Sequence, residues 1–367
     1  MQVLRLRLQN FRNFPSLDWE PAPEVNIITG ENAQGKTNLL EALFFGLTGR
    51  SFRTATERDV VRWGSAFCRV ELEVAGTGRH ALVVASLTSD GRKKLLVDGK
   101  AGRPVELCGE PVIFTPEHLW LVKGGPALRR RWLDLEICSL QPGYVRCLRR
   151  YQQVLAHRNR LLLGLRGREG GHEALEPWDR QLVELGARII FWRRRLLAGF
   201  ASLASQVYSA ISAEKEVLSL AYLSSFPLES AREEEELRLL FLRELARRLP
   251  QELAWGQTLV GPHRDDVRFS INGRDARRYA SLGQQRTTVL ALKLAQLELA
   301  ARLLNCYPLL LLDDVFSEID ERRREALLGY LAGKTQVFLT TSLERSALPP
   351  ASGCIFEVRR STITQGG

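Results

Sequence analysis

The 367-residue chain predicts an α/β fold built around a phosphate-binding loop (P-loop), with a mainly helical second domain inserted into it. The first observation is GENAQGKT at residues 30–37, which follows an apolar segment and precedes a helical one. The second is PLLLLDD at residues 308–314, where two aspartates end an apolar run. The third is the Leu- and Arg-rich stretch between them, from about 126 to 250, which has helical periodicity.

The composition is that of a globular protein with a basic surface. Hydrophobic residues make up 45% of the chain and charged residues 26%, which are ordinary values for a protein with a buried core. Lysine and arginine (52) exceed aspartate and glutamate (42), giving a formal net charge of +10. This excess fits either ordinary solubility or a polyanionic partner such as nucleic acid.

Membrane proteins, zinc sites and disulfide scaffolds are disfavoured by the sequence. No segment approaches the roughly 20 apolar residues that span a bilayer, and the N-terminus lacks the apolar segment of a signal peptide. The six cysteines include no CxxC pair, so neither a zinc site nor a disulfide scaffold is expected. We therefore expect a cytoplasmic protein with no membrane partner.

The N-terminal part of the chain predicts strands around one helix. Leu4, Leu6 and Leu8 alternate with polar residues, as in a half-buried strand. The segments that follow are a buried strand at 24–29, a loop at 30–36, a helix at 37–48, an antiparallel sheet between about 67 and 100, a strand at 111–114 and a helix start at 115–117.

The remaining elements follow the helical stretch, which is broken by a glycine-rich loop at 164–171. A strand at 267–271 ends in Asn272-Gly273, which predicts a hairpin. The C-terminal elements are a helix that starts at Ser281, a strand at 308–312, a helix at 322–331 and a strand at 336–339.

The P-loop motif predicts a nucleotide site. Glycine at positions 30 and 35 permits backbone angles and a close approach that a side chain would block, and the backbone N–H groups then face phosphate oxygens at a helix N-terminus. Lys36 supplies a catalytic positive charge to the β- and γ-phosphates, and the Thr37 hydroxyl can ligate Mg²⁺. The expected ATP-binding residues are Gly30, Glu31, Asn32, Ala33, Gln34, Gly35, Lys36 and Thr37.

The two aspartates complete this site. Four consecutive leucines suit a strand buried in a parallel sheet, and ligands of such sheets lie at the carboxyl ends of the strands. Asp313 is therefore the expected Mg²⁺ partner, because that ion prefers oxygen ligands. Asp314 is the expected catalytic residue that positions or deprotonates an attacking water.

A second anion site is predicted at the start of the helix in SLGQQ. Ser281 and Gln284 form a capping-box pattern around Gly283 and leave backbone N–H groups facing outward. An ordinary capped helix has the same pattern. One nucleotide does not need two cradles from one molecule, so we expect Ser281, Gly283 and Gln284 to act in trans, on the nucleotide of a second copy in a two-fold dimer.

At this point the sequence resembles a known family. SLGQQ is similar to the LSGGQ signature of ABC-type ATPases, SEID at 317–320 to their D-loop, and GKTNLLEA to the SMC-like branch. The chain also resembles the RecF family of bacterial replication and repair proteins through NFRN (10–13), GRSFRT (49–54), RRRWLD (129–134), GPHRDD (261–266) and SLGQQR (281–286).

The resemblance implies an ABC/SMC-like P-loop ATPase head without a long coiled coil. Members of this family form head-to-head dimers on ATP, clamp double-stranded DNA or single-/double-strand junctions, and hydrolyse ATP slowly. The resemblance further implies that the chain works with RecO and RecR to load RecA in recombinational repair and replication restart.

Two departures from the ABC pattern affect the expected catalysis. ABC-type ATPases usually have glutamate after the Mg²⁺-binding aspartate, whereas this chain has Asp314, as the RecF family does. Its shorter side chain predicts slow turnover, and the resemblance implies a weak, DNA-stimulated ATPase that serves as a switch. Thr340 and Thr341 stand where ABC proteins often carry a histidine, and no Q-loop glutamine is assigned.

A run of arginines predicts the DNA contacts. Residues 137–168 contain no aspartate or glutamate, and arginine binds phosphate without reading sequence. An ordinary solvated helix face has the same composition. The expected DNA-binding residues are Arg146, Arg149, Arg150, Arg158 and Arg160.

The spacing of the motifs predicts a split ATPase domain. We expect its halves at 1–114 and 258–367, with a mainly helical lid or arm at 115–257. Two alternatives stay open: the nucleotide-binding subunit of an ABC transporter and a P-loop phosphotransferase. The basic charge and the helical insertion count against the transporter subunit, and a phosphotransferase would not need the Ser281 cradle.

Overall fold

The computed structural model describes residues 1–76, 78–167, 170–212, 216–228, 231–317, 319–348 and 353–365, apart from the side chains of Cys108 and Pro142. The chain forms two compact units. The first comprises Met1–Leu119, Gln206–Glu216 and Ser281–Gly367, and the second comprises Trp120–Ser205 and Val217–Ala280.

The strands of the described residues are numbered in chain order. They are β1 (Gln2–Phe11), β2 (Phe14–Trp19), β3 (Val25–Thr29), β4 (Phe67–Gly76), β5 (Arg79–Thr88), β6 (Lys93–Val97), β7 (Lys100–Ala101), β8 (Val112–Phe114), β9 (Leu218–Leu223), β10 (Asp266–Ile271), β11 (Arg274–Asp275), β12 (Leu310–Leu312), β13 (Val337–Thr340), β14 (Cys354–Arg359) and β15 (Thr362–Gln365).

The α-helices are numbered in the same way. They are α1 (Lys36–Thr48), α2 (Val105–Cys108), α3 (Trp120–Lys123), α4 (Pro126–Leu140), α5 (Pro142–Leu165), α6 (Glu176–Ile211), α7 (Glu234–Trp255), α8 (Ala276–Tyr279), α9 (Leu282–Leu304) and α10 (Glu321–Leu331).

The first unit contains an antiparallel sheet of order β2-β1-β4-β5-β6-β7. Apolar residues such as Leu6 and Leu8 alternate along the strands, so they lie on one face of this sheet. That face packs in the hydrophobic core together with side chains of α1. Gly46 allows α1 to approach β4, because a Cβ at this position would lie 2.6 Å from a methyl carbon of Leu72. The predicted antiparallel sheet is confirmed.

The second sheet of this unit has the order β15-β14-β3-β13-β12-β8. All of its pairings are parallel except that of β14 with β15. The residues of β12 are fully buried, which fits a strand covered on both faces. Since β13 lies between β3 and β12, the carboxyl ends of these strands meet at one edge of the sheet, and this edge carries the candidate site.

The second unit is mainly helical and also contains a three-stranded sheet of order β11-β10-β9. The hairpin at Asn272-Gly273 is as predicted. The stretch at 126–250, for which mainly helical structure was expected, also contains β9, which pairs along its whole length with β10. This pairing also places 258–280 in the second unit rather than in the ATPase domain, and 206–216 belongs to the first unit.

Two further expectations concern membrane spans and cysteines. No helix within the described ranges is long and apolar enough to cross a membrane. The thiols of Cys68, Cys138, Cys147 and Cys354 are free. Cys306 is disulfide-bonded, whereas no disulfide scaffold was expected.

Candidate functional site

The P-loop joins β3 to α1 through backbone that only glycine adopts readily. Gly30 has a φ of +138°, and a Cβ there would lie 2.5 Å from the carbonyl oxygen of Val358. Gly35 has a φ of +114° and caps α1 in the left-handed region. Ala33 also has a positive φ, of 66°. The loop therefore wraps tightly around the N-terminus of α1, where backbone N–H groups favour an anion.

The Lys36 ammonium group lies inside the curve of this loop. Its Nζ donates to the carbonyl oxygens of Gly30 at 2.6 Å and Glu31 at 2.9 Å. Burial lowers the pKa of Lys36, while the negative charges of Asp314 and Asp313 oppose the shift. The negative charge of a bound phosphate would offset the cost of burying the charged ammonium group. The position of Lys36 therefore fits a lysine that binds phosphate oxygens.

Thr37 and Asp313 meet across the sheet edge, 276 residues apart in sequence. The Thr37 hydroxyl donates to Asp313 Oδ1 at 2.8 Å, and the Thr340 hydroxyl donates to the same oxygen at 2.7 Å. Burial raises the pKa of Asp313, and these two hydrogen bonds work in the opposite direction. A hydroxyl and a buried carboxylate in contact form a hard oxygen donor set, which fits Mg²⁺.

Asp314 is held through its backbone. Its φ of 47° lies in the left-handed region. Its N–H donates to the Thr340 hydroxyl at 2.9 Å, and its carbonyl oxygen accepts from Arg286 at 3.0 Å. Thr340 thus fixes both aspartates, a role that sequence reasoning missed. The only signal was its place in the segment where ABC proteins carry a histidine.

Other residues that support the P-loop were also missed. The Asn13 amide donates to the carbonyl oxygen of Gln34 at 3.0 Å, and its Oδ1 accepts from Asn38 at 2.7 Å. Glu41 on α1 is fully buried and accepts from Arg12 at 2.7 Å and from the Ser51 hydroxyl at 2.5 Å. The NFRN and GRSFRT motifs therefore brace the helix that carries the loop.

The signature segment begins α9 with a capping box. The Ser281 hydroxyl accepts from the N–H of Gln284 at 3.2 Å, and the Ser281 N–H donates to Gln284 Oε1 at 2.8 Å. Ser281 is exposed, and Gly283 and Gln284 are half-buried. The Gln284 amide nitrogen also donates to Glu216 at 2.6 Å, so the side chain of Gln284 is engaged within its own molecule.

The predicted D-loop precedes α10. The Asp320 carboxylate accepts from the N–H of Arg323 at 3.0 Å and caps this helix. Ser317 and Ile319 lie in the segment that joins β12 to α10, and Glu318 falls outside the described residues.

The predicted DNA-binding arginines of the second unit divide into two groups. Arg146, Arg149, Arg150 and Arg160 are exposed on α5, and Arg150 donates to Gln181 at 2.9 Å. The expectation for Arg158 is wrong, because its side chain is fully buried. Its guanidinium pairs with Asp179 at 2.6 Å and Glu252 at 2.7 Å, so it holds the core together instead.

The RRRWLD and GPHRDD motifs pair with each other within the second unit. Arg129 forms two hydrogen bonds to Asp266, at 2.7 Å and 2.9 Å. His263 Nδ1 lies 2.7 Å from the Tyr151 hydroxyl, and burial lowers the pKa of His263 to about 4. Among the described residues, no group of three or more His, Cys, Asp or Glu could hold a metal ion. The Arg129–Asp266 pair thus joins α4 to β10.

Comparison with known proteins places the chain in a family. The model of the RecF/RecN/SMC N-terminal domain matches residues 2–360. The chain belongs to the RecF/RecN/SMC family. Within it, the chain is 40% identical to the DNA replication and repair protein RecF of Desulforamulus reducens, over 100% of this chain and 99% of that protein. It is also 40% identical to RecF of Pelotomaculum thermopropionicum, over 99% and 100% of the two chains.

Solved structures agree with this placement in the RecF/RecN/SMC family. The recombination mediator protein RecF-ATP of the RecFOR pathway is 34% identical and covers 100% of this chain and 98% of its own, with a TM-score of 0.79. The Smc head domain from Pyrococcus furiosus shares the fold at 14% identity, with coverage of 100% and 96% and a TM-score of 0.59. The predicted ABC/SMC-like head fold is thus confirmed.

Proposed function

We propose that the chain is an ATP-dependent DNA-binding protein of recombinational repair and replication restart. The observation that carries its ATP dependence is the hydrogen bond of 2.8 Å between Thr37 and Asp313, which joins the P-loop to the aspartate pair. The relatives named as DNA replication and repair proteins support the biological setting. We also propose that the protein is cytoplasmic and that it has no membrane partner.

ATP and Mg²⁺ are the proposed ligands of the sheet edge. The loop N–H groups and Lys36 would bind the phosphates, and Thr37 and Asp313 would hold Mg²⁺, which neutralises charge on the phosphate oxygens. Asp314 would hold the attacking water and accept its proton. Because its side chain is short and its backbone is fixed, we expect turnover well below the typical enzyme value of about 10 per second.

Dimer formation through the signature segment is the second part of the proposal. Ser281 is exposed at the N-terminus of α9, so its hydroxyl and the neighbouring N–H groups are open to an anion outside the molecule. The γ-phosphate held by a second copy is the proposed ligand. A dimer of this kind would contain two equivalent sites across one two-fold axis.

DNA is the proposed macromolecular partner. The exposed arginines of α5 suit phosphate contacts on double-stranded DNA or on single-/double-strand junctions, and the second unit is the proposed lid or arm. RecR, RecO and, indirectly, RecA are proposed partners, since a similar structure is described as a mediator of the RecFOR pathway. We expect DNA to stimulate the slow ATPase.

Size-exclusion chromatography with and without ATP–Mg²⁺ tests the proposal. The wild-type chain should dimerise only with nucleotide. Lys36→Arg should impair the dimer by weakening phosphate binding, and Ser281→Arg should abolish it while leaving nucleotide affinity nearly unchanged. A wild-type chain that binds ATP but stays monomeric at micromolar concentration would contradict the shared site and favour a phosphotransferase.

A further inference from the structure

A buried carboxylate lies beneath the start of α9. Glu216 is only 6% exposed. Its Oε1 accepts from the Gln284 amide at 2.6 Å, and its Oε2 accepts from the Tyr208 hydroxyl at 2.8 Å. An ionised carboxylate is costly to bury unless donors surround it, and here one of the donors is a residue of the signature segment itself.

The contact fixes the conformation of Gln284. Its Oε1 accepts from the Ser281 N–H, and its amide nitrogen donates to Glu216. Both ends of the side-chain amide are thus engaged, so the side chain of Gln284 is held against the helix start. The capping box uses the N–H groups of Ser281 and Gln284, and it holds the N–H groups of Leu282 and Gly283 at the helix start in one arrangement, as an anion site requires.

The same carboxylate faces the helix that follows the D-loop. Arg323 lies 3.5 Å from Glu216 Oε2 and donates to the carbonyl oxygen of Ser212 at 3.1 Å. The N–H of Arg323 is capped by Asp320. Glu216 therefore connects the first turn of α9 with the first turn of α10 through one hydrogen bond and one ion pair.

We propose that Glu216 is a positioning residue for ATP-dependent dimerisation. Its side chain holds the signature turn at Ser281 and the end of the D-loop at Asp320 in fixed positions. In these positions the two segments would contact the nucleotide bound by a second copy. The proposal rests on the proposed function, because it assumes that the signature turn acts in trans. Its immediate consequence, a rigid Ser281–Gln284 turn, is measurable in the monomer without nucleotide.

The test compares Glu216→Gln with Glu298→Gln. Glu298 is a matched control because it also lies in the first unit, on α9, and accepts from Tyr307 at 2.9 Å and Lys334 at 2.8 Å. Glu216→Gln should weaken the ATP-dependent dimer about tenfold, an ordinary coupling effect, and leave the affinity of the monomer for ATP–Mg²⁺ unchanged. Glu298→Gln should change neither property, although both variants lower the melting temperature.

Amide hydrogen exchange separates this inference from the proposed function. In the monomer of Glu216→Gln, the amides at 281 and 284, which are hydrogen-bonded in the capping box, should exchange faster than in wild type, while those of Glu298→Gln should not. Wild-type exchange in Glu216→Gln would overturn the positioning role, whether or not the protein dimerises. A wild-type chain that fails to dimerise on ATP, together with faster exchange in Glu216→Gln, would overturn the shared site and leave the positioning of the turn intact.

Arg323→Lys covers the case in which Glu216→Gln does not fold. Lysine keeps the positive charge but cannot reach both Glu216 and the Ser212 carbonyl as the guanidinium does. This variant should weaken the dimer several-fold and speed exchange at 281 and 284. A dimer of wild-type strength with wild-type exchange would overturn the proposal.

Discussion

Arg158 shows how burial changes the role of a residue. Its guanidinium offsets the burial of Asp179 and Glu252, whose pKa values are raised by desolvation. Arg158→Leu would leave the buried Glu252 and the half-buried Asp179 without that partner, so the free energy of unfolding should fall by about 3–5 kcal/mol in a denaturant titration. The exposed Arg160 provides the control, since Arg160→Leu should change the free energy of unfolding by less than about 0.5 kcal/mol.

His263 makes the stability of the second unit depend on pH. Burial lowers its pKa from 6.5 to about 4, so the unfolded chain takes up a proton in this range and the folded chain does not. Stability should therefore fall as the pH drops from about 6.5 to about 4, by roughly 3 kcal/mol in total. Denaturant titrations of wild type and His263→Gln check this, and equal slopes against pH would contradict it.

At the residue scale, local motifs were predictable and long-range partners were not. Gly30, Gly35 and Lys36 follow from one contiguous pattern, because the backbone of a phosphate cradle dictates the residue types. Thr340 donates a hydrogen bond to Asp313 from another strand, and no rule of sequence spacing predicts that contact. Arg158 has the same sequence environment as Arg160, and only the packing of three helices distinguishes the two.

At the element scale, the backbone conformation of the P-loop predicts that Gly30 is required for nucleotide binding. Gly30→Ala would force a side chain into the left-handed region and against the backbone of β14. We expect nucleotide affinity to fall at least tenfold in a titration with a fluorescent ATP analogue, since a factor of ten needs only about 1.4 kcal/mol.

Gly199 provides the control for that substitution. It lies within α6 and has open space around its Cβ position. Gly199→Ala should leave nucleotide affinity unchanged and raise the free energy of unfolding by about 0.5–1 kcal/mol, because alanine has the higher helix propensity. A Gly30→Ala variant that binds ATP as Gly199→Ala does would show that the loop backbone is not the cradle.

Sequence reasoning missed the strands β2, β9, β14 and β15. LSLAYL, which forms β9, lies within a stretch whose composition is helical, and its partner β10 lies more than 40 residues further along the chain. Such pairing is decided by tertiary packing rather than by local propensity. β12 was predictable because four adjacent leucines suit only a strand covered on both faces.

At the scale of the whole molecule, the sequence indicated a split domain but not its boundaries. Lys36 and Asp313 were expected to lie close together, because one binds the phosphates and the other the Mg²⁺ of the same nucleotide. The chain between them was therefore expected to form an insertion. The boundaries depend on β9 pairing with β10 and on the return of residues 206–216 to the first unit. Neither feature has a local signature.

DNA binding is the property that the whole molecule should display. If Arg146, Arg149, Arg150 and Arg160 contact phosphates, each contact adds about 0.9 to the slope of log affinity against log salt concentration. Replacing all four with glutamine should therefore flatten the slope by about 3.6 per protomer in a fluorescence anisotropy titration with duplex DNA and ATP.

The control for this titration replaces Arg238 and Arg247, which are paired with Glu235 and Glu244 on α7. Glutamine at these two positions should leave the slope unchanged, since each arginine is already neutralised by a neighbouring carboxylate. Binding should also weaken when ATP is withheld, because the proposed dimer doubles the number of arginines on one duplex. If the α5 variant kept both the wild-type slope and the ATP dependence, the DNA contacts would have to lie elsewhere on the molecule.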